Sequence, residues 1–129
     1  MLIFLTLSCA KEEQDTTPTV TDPRDIITGD WLCTETIVGE QEPQVYEVVV
    51  RNNPSDKTGI LMDNFALTSG EVRATLDSNQ VNIPLQTVNM IKIEGSGVIH
   101  NENSSQWQYT VVFQGITEQC SAVFETNKK

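Results

Sequence analysis

The sequence predicts an all-β, antiparallel domain of about eight strands, either a small β-barrel or a barrel-like sandwich. Three observations carry this. Val, Ile and Thr fill 13, 10 and 15 of 129 positions, whereas the helix formers Leu and Ala supply only 8 and 4. Apolar residues alternate with polar ones at period two from Ile26 onward. Turn formers interrupt that alternation about every ten residues, and no window carries a 3.6-residue apolar period, so no parallel βαβ unit is expected.

The strands follow in order. Trp31, Cys33 and Ile37 share one parity with Glu35 between them, and Tyr46, Val48 and Val50 form the next run. Gly59 to Met62 reads as a short strand ended by Asp63-Asn64, with Phe65 capping the core. Val72, Ala74 and Leu76 continue the pattern, then Val81, Ile83 and Leu85, then Ile91 and Ile93. Trp107, Tyr109, Val111 and Phe113 make the seventh run, and Cys120, Ala122 and Phe124 the last. Between them lie turn formers: Asn52-Asn53-Pro54-Ser55-Asp56, Ser69-Gly70, Asp77-Ser78-Asn79, Gly95-Ser96-Gly97, Asn101 to Ser105, and Gln114-Gly115. One face of each strand is core and the other solvent. Eight strands in this length could close, which removes both edges, or form two packed sheets.

Composition limits function. The chain holds 18 acidic and 8 basic residues, a net charge of −10, so polyanions are repelled and nucleic acid is excluded as a partner. One histidine and three cysteines leave too few ligands for a structural zinc site, and no cofactor is expected. His100 reads as a solvated loop residue, since no nucleophile or second carboxylate can be assigned to it. The acidic pair Glu12-Glu13 sits where no fixed geometry holds it. The Asn52 to Asp56 loop offers oxygen ligands but a single carboxylate, and it lacks the EF-hand pattern. Trp31, Tyr46, Trp107 and Tyr109 all fall on the buried parity, which argues for an interior filled by its own side chains rather than for an aromatic sugar platform.

The N-terminal segment adds a location. Met1 to Ser8 is strongly apolar, without acidic groups, and ends in a small residue before Cys9, like the end of a secretory h-region. It has no Lys/Arg n-region, so the start codon is expected upstream of Met1. Leu5-Thr6-Leu7-Ser8-Cys9 resembles a bacterial lipobox, which implies a lipidated Cys9 at the mature N-terminus. Ala10-Lys11-Glu12-Glu13 is similar to the surface-export signal of Bacteroidota lipoproteins, and Asp15-Thr16-Thr17 resembles their O-glycosylation motif, with Thr16 as acceptor. Residues 10–25 have almost nothing to bury and read as a flexible tether. The division is therefore 1–9 signal end and lipobox, 10–25 tether, and 26–129 folded domain.

The resemblance extends into the domain. Asp22-Pro23-Arg24-Asp25 with Gly29-Asp30-Trp31, Tyr46-Glu47-Val48, Met62-Asp63-Asn64-Phe65, Val81-Asn82-Ile83-Pro84, Gln86, Gly95-Ser96-Gly97, Tyr109-Thr110-Val111 and Cys120-Ser121-Ala122 resembles small lipocalin-like lipoproteins of the Bacteroidota. That implies a β-barrel on a lipid anchor in the outer membrane, at the cell surface or periplasmic face. Gly29-Asp30-Trp31 is similar to the lipocalin Gly-x-Trp opening, but the Arg that packs on that Trp has no counterpart near the last strand.

Export would place Cys33 and Cys120 in an oxidising compartment, on the first and last strands and on their buried parities, so a Cys33–Cys120 disulfide is expected. The expected function is a non-enzymatic binding or interaction module whose partner is a glycan, a small apolar ligand or another envelope protein. The alternative is a hydrolase whose carboxylates come from distant strands. An empty interior would favour a small ligand, and a closed core a protein partner.

Overall fold

A computed structural model describes residues 22–126. Eight antiparallel strands close into one barrel in sequence order: β1 (Gly29–Ile37), β2 (Gln44–Asn52), β3 (Gly59–Asp63), β4 (Glu71–Asp77), β5 (Gln80–Val88), β6 (Ile91–Asn101), β7 (Ser104–Phe113) and β8 (Ile116–Thr126). β8 returns to pair with β1 from Trp31↔Thr126 to Ile37↔Cys120, so no edge is left open. The closed barrel, not the two-sheet sandwich, is what the alternation builds.

Up-and-down connectivity gives the barrel two ends. The end holding the start of β1 and the finish of β8 also carries the β2–β3, β4–β5 and β6–β7 connections. It is plugged by Ile27, whose carbonyl accepts from Trp31 Nε1 at 2.7 Å and which follows the 3₁₀ turn Pro23–Ile26, none of whose residues is buried. Asp22 caps this turn at the Arg24 amide, and the Arg24 guanidinium also pairs with the Asp22 carboxylate, holding that group down at about 2. Asp22 to Asp25 therefore belong to the folded domain rather than to the tether. The lipobox, Cys9, Thr16 and most of the tether lie outside the described residues.

Two sequence readings are corrected. Leu85 was expected inside, but Pro84 has no N–H for the ladder, the β5–β6 register slips between Ile83 and Gln86, and the parity inverts. Leu85 is exposed and Gln86 is buried, its amide donating to the Arg73 and Pro84 carbonyls and accepting from the Arg73 N–H. The side chain thus replaces the pairing that Pro84 removes between β4 and β5. Gly95-Ser96-Gly97, expected as a turn, lies within β6. Gly95 and Gly97 stand opposite Tyr109 and Trp107, and a Cβ at Gly97 would sit 2.5 Å from the Trp107 ring. These glycines let the aromatic rings lie against the β6 backbone.

Candidate functional site: a filled lumen and an outer groove

Aromatic rings occupy the lumen. Phe65, carried inward by the β3–β4 connection, contacts Tyr109 with centroids 4.6 Å apart and Trp107 at 5.3 Å. Trp107 lies 4.8 Å from Phe124, which in turn meets Trp31 at 6.1 Å. Phe65 does cap the core, and Trp31, Trp107 and Tyr109 are buried as their parity requires, with Tyr46 half-buried. Phe65, Phe124 and Ile27 have no exposed surface, so both the middle of the barrel and its β1-start end are packed.

One carboxyl group sits inside. Glu35 points inward from β1 and is 4% exposed, the only buried acidic residue among those described. Its Oε1 accepts from both Tyr46 Oη and Tyr109 Oη at 2.5 Å. Burial raises both phenols above their ordinary range, with Tyr109 and Cys33 adding to the shift at Tyr46 and Glu35 to that at Tyr109. They remain protonated donors at neutral pH, so the trio is a polar crosspiece joining β1, β2 and β7. The parity of Glu35 in the sequence was its only signal, since the two tyrosines reach it from distant strands.

Cys33 and Cys120 are both buried and both free. The expected disulfide is absent although β1 and β8 are neighbours and both thiols face inward. The reason is register. Cys33 is opposite Phe124 and Cys120 opposite Ile37, an offset of four residues, or about 13 Å along the strands. A disulfide requires Cα atoms within about 7 Å. Burial pushes each thiol up to about 12, so neither is a nucleophile at neutral pH.

The remaining candidates resolve similarly. His100 is exposed, on β6 rather than in a loop. In the Asn52 to Asp56 loop, the carbonyl oxygens of Asn53, Asp56 and Gly59 converge on Arg24 Nη1 at 3.2, 2.8 and 2.9 Å, so a guanidinium stands where a metal ion would need to be. Among the described residues no cluster of three His, Cys, Asp or Glu side chains could hold a metal, and no helix is long and apolar enough to cross a membrane.

The outer wall carries a groove of about 430 Å³ across β6, β7, β8 and β1. Thr34, Thr36, Ser96, Gln106, Gln108 and Ser121 line it, with Gly97 and Trp107 beneath. Its walls hold no charged side chain, on a protein whose net charge is −10. Period two alone places these residues outside but does not reveal the concavity, which lies where β6 sinks toward Trp107 at Gly97.

The chain matches no protein-family profile and no curated protein sequence. Among solved structures it is similar to a redesigned β-barrel, with a TM-score of 0.55 and 9% identity over 85% of this chain and 99% of that one. It is also similar to EF1p2_mFAP2b bound to DFHBI, with a TM-score of 0.54 and 13% identity over 83% of this chain and 100% of that one. At these identities the likeness is one of fold, an eight-stranded antiparallel barrel.

Proposed function

We propose that this chain is a non-enzymatic interaction module of the bacterial cell envelope, attached to the outer membrane by a lipid on Cys9, whose partner is another envelope protein. The observation that carries this reading is the filled lumen. A protein of the same fold binds DFHBI, but here Phe65, Trp107 and Phe124 occupy the middle of the barrel with 0–1% exposure, which leaves recognition to the outer surface. A hydrolase built on paired carboxylates would need two carboxyl groups facing one cavity. Glu35 is the one buried acid described, and both neighbouring phenols are committed to it.

Titration with anilinonaphthalene sulfonate and with a long-chain fatty acid tests the closed interior: no saturable site is expected. One-to-one binding that changes tryptophan fluorescence would overturn the reading. The anchor is tested by membrane fractionation of the chain with its complete leader, in which Cys9→Ala should move the protein from membrane to soluble fraction. Equal partitioning of the two would remove the lipid.

The groove supports a second reading, in which the outer wall takes a neutral glycan through Ser, Thr and Gln side chains. An oligosaccharide titration followed by backbone amide shifts decides it: shifts confined to Ser96, Gln108 and Ser121 support it, and unchanged spectra at millimolar sugar dismiss it.

A further inference from the structure

The two ends of the barrel differ in chemistry. At the end holding the β1 start, the connections Asn53-Pro54-Ser55-Asp56-Lys57-Thr58, Ser78-Asn79 and Glu102-Asn103 carry no large apolar side chain, although Ile26 of the 3₁₀ turn there is 40% exposed. At the other end all four connections, or the strand residues flanking them, present an exposed large apolar side chain. Val38 follows β1, Leu67 lies between β3 and β4, Met90 between β5 and β6, and Phe113 and Ile116 flank the β7–β8 turn.

Two of these residues are anomalous on a second, independent count. Val88 pairs with Ile91, so Asn89 and Met90 form a two-residue hairpin connection with φ of +49° and +70°. Such a turn favours Asn-Gly, because the second position is left-handed and a side chain there is strained. Met90 occupies that position and is 79% exposed, so it neither eases the turn nor fills the core. Leu67 repeats the pattern with φ +58° and 40% exposure. By contrast, the two-residue turns at the polar end use Ser78-Asn79 and Glu102-Asn103. Neither backbone preference nor burial accounts for Met90 and Leu67, which leaves contact with another molecule as what they serve.

Charge selects the kind of molecule. The β1–β2 connection carries Glu40 and Glu42, Glu118 follows the β7–β8 turn, and Lys92 is the one base beside the β5–β6 turn. A second copy would bring like charges together, and an anionic bilayer would be repelled. We infer that the barrel end formed by Val38, Leu67, Met90, Phe113 and Ile116 docks a protein surface that offers an apolar face flanked by Lys or Arg. This rests on the interaction reading above and assigns it a surface and a partner chemistry.

The probe is an amphipathic helical peptide with one Leu face and one Lys face, alongside a Leu/Glu counterpart, added to the full chain. Saturable one-to-one binding of the Leu/Lys peptide is expected, weakened at least tenfold by Met90→Gly combined with Ile116→Thr, with no binding of the Leu/Glu peptide. Met90→Gly alone should leave Tm unchanged or raise it, since glycine suits the left-handed position. A lowered Tm would make Met90 a structural residue and overturn the inference. So would peptide binding indifferent to the double substitution, self-association that depends on these residues, or their insertion into phosphatidylethanolamine/phosphatidylglycerol vesicles. Peptide binding abolished instead by Gln108→Ala would move the docking surface to the groove and leave the interaction reading standing, whereas a ligand in the lumen would remove that reading itself.

Discussion

Glu35 shows how one inward polar residue constrains its neighbours. Replacing it with Ala strands two buried phenols without an acceptor and opens a void, which should cost about 2–5 kcal/mol. Glu35→Gln keeps an acceptor oxygen at the same place and should cost less than half as much. Urea midpoints of the two variants check the ranking, and equal losses would mean that charge, not hydrogen bonding, is what matters at Glu35. The neighbouring thiol adds a pH dependence. Cys33 is raised by burial from its ordinary 9.0 to about 12 in the folded state. A group whose folded value is raised contributes stability in full below the unfolded value, here about 9, and that contribution is lost as pH rises toward 12. The loss is up to about 1.4 kcal/mol per pH unit through Cys33, and Tyr46 and Tyr109, also raised, add to it once pH passes their ordinary 10.0. Thermal melts across this alkaline range should show Tm falling steadily, steeper than in Cys33→Ala. Thiol-reagent counts should find neither Cys33 nor Cys120 reactive in the native barrel at neutral pH and both reactive after unfolding without reductant.

At the scale of elements, β6 is where sequence reasoning and structure part most clearly. Gly95 and Gly97 carried the composition of a turn, yet each stands opposite an aromatic on β7 and is small because that ring must lie against the strand. Gly97→Ala should therefore destabilise by about 1–3 kcal/mol through overpacking against Trp107, visible as a lower denaturant midpoint with altered tryptophan emission. An unchanged midpoint would show that the ring can move aside. Where only one strand's parity was at stake, the reading succeeded for all eight runs, which became strands, and for Trp31, Trp107 and Tyr109, which faced inward, but Phe113, placed on the same parity at the end of β7, is 44% exposed. It failed where the outcome depended on a partner strand. The fate of Leu85 turned on the bulge that Pro84 forces, and that of Cys33 and Cys120 on a register offset no spacing reveals. The β5–β6 hairpin was masked in another way, since Asn89-Met90 between Val88 and Ile91 lacks the glycine that marks such turns. The crosspiece of Glu35 with Tyr46 and Tyr109, like the outer groove, is a property of closure and becomes legible only once β7, β8 and β1 are side by side.

Closure also fixes how charge acts on the whole molecule. The three acidic residues Glu12, Glu13 and Asp15 and the three basic residues Lys11, Lys128 and Lys129 lie outside the described region and cancel, so the barrel itself carries the net charge of −10. Surface pairs do little to offset this. Arg51 bridges Asp63 and Glu71 and is nearly half exposed, and an exposed pair of that kind contributes at most about 1 kcal/mol. With the acids crowded onto a small closed surface, self-repulsion should outweigh the attraction that screening removes, and Tm should rise as salt increases from about 0.01 M to 0.15 M. Docking of a basic partner at the apolar end should respond in the opposite direction, because there the long-range term is attractive and screening weakens it. Measuring both quantities in one salt series separates the two effects. Stability rising while affinity for the Leu/Lys peptide falls is the expected result, whereas a falling Tm would place the dominant electrostatic contribution in the Arg24 and Arg51 ion pairs instead of in the net charge.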